Sequence, residues 1–140
     1  MQEYNVTVYD DRTEWRQNGQ YHRLDGPAIN HVHGTKHWYQ NGIRHRLGGP
    51  AIEWADGDKS WWENGERHRL DGPALECANG TKFWYQNGKR HRTDAPAVEL
   101  SDGSVSYWEN GIRIPNPNEV KEMTVEQIVK ELGYNVKVVK

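Results

Sequence analysis

The sequence predicts an all-β fold: an elongated, twisted antiparallel sheet of 23-residue β-hairpin units, ending in a short C-terminal helix and strand. Three observations predict it. Asn-Gly recurs at Asn18, Asn41, Asn64, Asn87 and Asn110, always 23 residues apart, and a fixed period of that length marks units that bury one another. A Gly or Pro every few residues breaks any helical run as far as residue 114. Seven Trp and seven Tyr stand beside one Phe at a mean hydropathy of −1.06. That is too little aliphatic material for a thick core, but enough for a single layer held by stacked aromatics.

The sheet is expected over residues 1–114. Residues 4–14 read as the second half of a unit, with Val6, Val8 and the Asp10-Asp11 turn leading into Trp15. Complete units follow at 15–37, 38–60, 61–83 and 84–106, and a partial one at 107–114. Within each unit Asn-Gly and Asp-Gly read as two-residue type I′ hairpin turns, because both central residues need positive φ. In Leu70-Asp71-Gly72-Pro73-Ala74 the proline removes a donor and marks a strand junction.

That turn type dictates register. Around Asp56-Gly57, Trp54 is expected opposite Lys59 and Ile52 opposite Trp61. Around Asn64-Gly65, Trp61 is expected opposite His68 and Trp62 opposite Arg67. One face then holds the columns Ile29/Ile52/Leu75/Val98 and Trp15/Trp38/Trp61/Trp84/Tyr107, the expected core. The other pairs Tyr39 with Arg44, Trp62 with Arg67, Tyr85 with Arg90 and Trp108 with Arg113, reversed as Arg16 and Tyr21 in the first unit. An aromatic and an arginine at every such pair imply cross-strand cation–π contacts.

After Ile114, residues 115–122 read as a stiff linker, and residues 123–140 as a helix plus strand. Thr124 and Gln127 form a capping box, Val125, Ile128, Val129 and Leu132 follow at helical spacing, and Gly133 stops the helix. Tyr134, Val136 and Val138 alternate as a closing strand. The helix is expected to cover an edge or face of the sheet.

Composition excludes several function classes. The net charge of −2 argues against binding a nucleic-acid backbone or an anionic membrane, which needs clustered Lys and Arg. Cys77 stands alone, so no intrachain disulfide forms and a reducing compartment is the simplest reading. The start has no apolar leader core and no stretch approaches a membrane span, so a cytoplasmic location is expected, in the host cell if the protein is viral.

The unit W-x-x-N-G-x-x-H-R-x-D-G-P-A-x-x-x-x-D-G resembles the MORN repeat over residues 4–114, sharing the positions of Trp61, Trp62, Asn64, Gly65, His68, Gly72 and Gly80. It departs at Ser60 and Arg69, where MORN repeats have further glycines, and adds a Pro-Ala. Such variants resemble repeats in small proteins of large-genome viruses and tailed phages, and the tail TVEQIVKELGYNVKVVK is similar to the ends of many small tailed-phage proteins. The resemblance implies a binding or scaffolding sheet, sometimes at membranes, and no catalysis.

His22, His45, His68 and His91 invite a metal or acid–base reading. Each falls beside a core Trp, and the last unit exchanges both for Tyr107 and Ile114, which suits packing rather than ligation. His31, His33 and His37 are a candidate for adventitious metal binding, with His33 at a turn position. Asp25, Asp71 and Asp94, with Gly48 in the second unit, suit Asx turns. No nucleophile–base set stands out, so neither catalytic residues, cofactor nor metal is expected. The binding candidates are the aromatic–arginine residues, which are common interface hot spots. The leading expectation is a virus-encoded inhibitor docked on a host protein, such as a bacterial defence component. The alternatives are a sponge for a nucleotide-type small molecule, with a homo-oligomer one way to build its site, and a structural or membrane-surface scaffold.

Overall fold

The structure, a computed structural model, describes residues 3–119 and 124–133. Those residues form a 12-stranded antiparallel sheet whose strands neighbour one another in chain order. Three two-stranded hairpins extend it: Tyr39–Gln40 with Ile43–Arg44, Trp62–Glu63 with Glu66–Arg67, and Tyr85–Gln86 with Lys89–Arg90.

The five Asn-Gly turns at the 23-residue period are as expected. The five asparagines have φ of 49–51° and the following glycines 75–84°, the type I′ signature. Trp62 pairs with Arg67, Tyr39 with Arg44, Tyr85 with Arg90 and Trp108 with Arg113. Arg16 pairs with Tyr21.

The Asp-Gly turns are not. Ile52 pairs with Ser60 and Glu53 with Lys59, one residue away from the two-residue register. The Trp54 N–H donates to the Asp58 carbonyl (2.9 Å) and Gly57 N–H to the Trp54 carbonyl (3.0 Å). Gly57 has φ +99° while Asp56 keeps negative φ. The loop is therefore three residues long, closed by a left-handed glycine, the next commonest hairpin connection. Gly34, Gly80 and Gly103 repeat it with φ of 87–108°. At Asp10-Asp11 no glycine offers that conformation, the loop stays at two residues, and Val6 does pair with Trp15.

A one-residue slip exchanges faces. The aliphatic column Ile29/Ile52/Leu75/Val98 therefore leaves the tryptophan face and lies in one row with Glu14, His37, Ser60, Phe83 and Ser106. Trp62 Nε1 donates to Ser60 Oγ at 2.8 Å, so this row belongs to the aromatic–arginine face. What replaces the aliphatics beside the tryptophans is alanine. Continuing the register one step places Ala28, Ala51 and Ala74 between successive indoles and Ala97 between Trp84 and Tyr107, and all four have no exposed surface. Large and small residues alternate along the column, the arrangement that fills a layer without voids. Trp38 is buried, and Trp15, Trp61 and Trp84 are half-buried. The same face carries the paired row Lys36, Glu53, Lys59, Glu76, Lys82, Glu99, an alternation of charge that makes every cross-strand neighbour opposite in sign.

The C-terminal helix α1, Val125–Leu132, has the expected start and stop. Thr124 and Gln127 form the reciprocal capping box, and Gly133 is left-handed at φ +69°. Residues 115–118 include a turn in which Asn118 N–H donates to Asn116 Oδ1 (2.9 Å); the rest of the expected linker, 120–122, and the closing strand of Tyr134, Val136 and Val138 lie outside the described residues.

Candidate functional site

On one face the paired aromatics and arginines become a continuous column. Arg16 stacks on Tyr21 (3.9 Å), and Tyr21 packs against Tyr39 (5.4 Å). Arg44 lies between Tyr39 (5.2 Å) and Trp62 (4.9 Å), and Arg67 between Trp62 (5.3 Å) and Tyr85 (5.5 Å). Arg90 donates Nε to the Tyr85 hydroxyl (3.3 Å) and sits 4.9 Å from Trp108. Arg44, Arg67 and Arg90 thus each join their own hairpin to the next one, a link that pairwise register does not reveal. Arg113 pairs with Trp108 in register but is exposed.

The row beneath supplies polar partners where the aromatic needs them. Ser60 and Ser106 accept from the indole N–H of Trp62 and Trp108, both at 2.8 Å, as a buried indole requires. At the end of the partial unit Glu14, 3% exposed, accepts from Arg12 (2.8 Å), Arg16 (3.2 Å) and the Tyr21 hydroxyl (3.2 Å). Burial pushes its carboxyl up, and these hydrogen bonds outweigh that, leaving it below the usual range. His37 holds the same place in the next unit. Burial first, then the Arg44 and His31 charges, lowers its imidazole to about 4.

On the opposite face the arginine of each His-Arg pair lies over the tryptophan of its own unit. The distances are 4.1 Å for Arg23–Trp15, 4.0 Å for Arg46–Trp38, 4.0 Å for Arg69–Trp61 and 4.1 Å for Arg92–Trp84. These are the residues that sequence reasoning missed. The signal was present, since the arginine recurs as strictly as the Trp eight residues before it. Arg69 also donates to Asp71, Pro73 O and Glu76. The repeated aspartates are thus ion-pair partners of the arginine two residues before them, not self-contained turn residues. The Arg23 and Arg69 hydrogen bonds hold Asp25 and Asp71 below the ordinary carboxylate range.

The histidines have a structural task. Nδ1 of His22, His45, His68 and His91 accepts the backbone N–H of Asn41, Asn64, Asn87 and Asn110 at 2.9–3.1 Å. Each imidazole therefore satisfies a turn amide of the next unit, with Nδ1 unprotonated. His31, His33 and His37 pack ring against ring at 5.0 and 5.7 Å, and His33 Nε2 meets Thr35 Oγ1 at 2.9 Å. Among the described residues no group of three or more His, Cys, Asp or Glu is arranged to hold a metal ion. Open clefts of about 460, 570 and 580 Å³ repeat along the tryptophan face, each between successive His-Arg loops. No described helix is long and apolar enough to cross a membrane. Compared with protein-family models, curated proteins and solved structures, the chain matches none.

Proposed function

We propose that this protein is a non-enzymatic binding module, a MORN-like array of hairpin units, whose aromatic–arginine face docks on a host protein and inhibits it. The observation that carries the reading is the continuous column Tyr39, Arg44, Trp62, Arg67, Tyr85, Arg90, Trp108. Its residue types are those that dominate interface energetics. Mutual stacking holds their side chains in place before any partner arrives, which lowers the entropy cost of association. The phage-like tail favours a host protein in the cytoplasm as the partner. Native mass spectrometry of gently purified protein tests this. A stoichiometric protein companion supports the reading if the triple variant Tyr39→Ala, Trp62→Ala, Tyr85→Ala loses it while keeping its melting transition. A companion retained by that variant, or a discrete light adduct in its place, refutes it, and the adduct makes the protein a small-molecule sponge.

A further inference from the structure

The stacked arginines on the tryptophan face are not equivalent. Arg69 donates Nε to Asp71 (2.9 Å) and Nη1 to Glu76 (2.8 Å), and Arg92 likewise meets Asp94 (3.1 Å) and Glu99 (3.3 Å). Arg23 meets Asp25 through Nε at 2.8 Å. Arg46 donates Nη1 to Glu53 (3.1 Å) and to the Pro50 carbonyl (2.9 Å), but Gly48 stands where the other units have aspartate. Among the described residues its Nε has no acceptor. The Arg46 side chain is 31% exposed, against 22–23% for the other three. Gly48 carries no side chain to take that place, and its backbone is left-handed at φ +78° where Asp25, Asp71 and Asp94 keep negative φ. The opening is part of the cleft of about 460 Å³ that also includes Leu47, Trp61, Glu63, Leu70 and Asp71.

We propose that this cleft is a binding site for a single carboxylate, which takes the place left by the missing aspartate and accepts from Arg46 Nε and Nη2 as a planar pair. The guanidinium fork matches a carboxylate in two parallel bonds, and its stacking on Trp38 sets the plane in advance. Glu63 and Asp71 on the same cleft repel a second negative charge, so a doubly charged phosphate fits poorly. Leu47 and Leu70, 72% and 76% exposed, flank the opening and suit an apolar group attached to the carboxylate. The ligand class is therefore a monocarboxylate with an apolar neighbour, either a free acid or an acidic side chain beside leucine-like residues. This inference does not depend on the docking reading, because it uses the opposite face.

The test follows the arginine Nε–H resonances by NMR during titration with isovalerate, with an end-blocked peptide carrying one Asp between leucines, and with inorganic phosphate. Arg46 is expected to shift saturably with isovalerate or the peptide, the tighter of the two naming the source, while Arg23, Arg69 and Arg92 stay in place. Gly48→Asp restores the Arg-Leu-Asp-Gly-Pro run of the first and third units, whose aspartates have negative φ; with residue 48 in that backbone the aspartate fills the site from within and should weaken binding at least about tenfold. Asp71→Gly, which copies the second unit's pattern into the third, should make Arg69 respond in the same way. An Arg46 resonance unmoved by both carboxylates, four arginines that move alike, or phosphate binding as tightly would each overturn the proposal. So would a folded Asp71→Gly variant in which Arg69 stays silent.

Discussion

Arg69 ties together residues at three short separations in the chain, and its position rests on what Gly72 lacks. A Cβ on Gly72 would lie 2.8 Å from Arg69 Cζ, so a larger residue forces the guanidinium aside. The fourth unit already contains that experiment in Ala95. There Arg92 keeps its stack on Trp84 while its carboxylate contacts lengthen to 3.1 and 3.3 Å. A flexible side chain gives way at small cost, and alanine also restricts the unfolded chain. Gly72→Ala should therefore change unfolding free energy by less than about 1 kcal/mol in urea titration. His37 has a stronger signature. It is neutral in the folded protein down to a pH of about 4, whereas the unfolded imidazole takes up its proton near 6.5. The unfolded state thus binds more protons between these values, so the stability His37 contributes is present above 6.5 and is lost as pH falls toward 4. Its Nδ1 is buried without a partner among the described residues. His37→Phe, copying Phe83 in the same row, should flatten the melting temperature between pH 7 and pH 4 without loss at pH 7.

At the scale of the element, the two kinds of turn show where reading the sequence succeeds. The five Asn-Gly turns at the 23-residue period adopt one geometry, but Asn79-Gly80, at the place of Asp56-Gly57 in the next unit, does not: there only Gly80 is left-handed, at φ +91°. An Asn-Gly or Asp-Gly pair thus has two hairpin geometries, separated by whether its first residue or only the glycine enters the left-handed region. The choice lies in packing beyond the turn, where the slip lets alanine rather than isoleucine lie between indoles. Gly57 is fixed by that choice. A side chain at φ +99° is strained, and Gly57→Ala should cost about 1–2 kcal/mol, more than Gly72→Ala although both add the same methyl group. Equal costs would mean the bulged turn is wrong. Trp61 fills the column between Ala51 and Ala74 and carries Arg69 on its face. Trp61→Ala should cost about 2–4 kcal/mol, less than a fully buried Trp because it is half-buried. Of the candidate site, the hairpin pairs were legible because type I′ turns dictate them. The links between hairpins were not, since they depend on how far an arginine reaches across to the next unit.

Among the described residues every strand pairing stays within one unit or joins adjacent units, so stability is a sum of units and junctions rather than one shared core. The histidine is the junction's polar half. His68 Nδ1 holds the Asn87 amide at 3.1 Å, and His68→Ala should cost about 1 kcal/mol and speed exchange of the Asn87 amide well beyond that of Asn41. Equal exchange at both amides would show that the imidazole is not the latch. The last hairpin has neither the Trp nor the His of the others, with Tyr107 and Ile114 in their places. Its amides should exchange ahead of those in the central units, because local opening follows the weakest packing.

By itself the sequence determined the period, the all-β class, the five type I′ turns and the capped helix, each set by backbone preferences of a few adjacent residues. The tertiary structure decided the faces. Whether Ile52 lies with Trp61 or with Trp62 depends on one residue of register, and the free energy that selects it comes from burying alanines between indoles and seating arginines over them. Those contacts join residues 8 to 13 positions apart, and no local preference encodes them. The vacancy beside Arg46 belongs to both levels. Gly48 in place of aspartate is visible in the sequence, but it becomes an opening only because the fold aims an arginine at it.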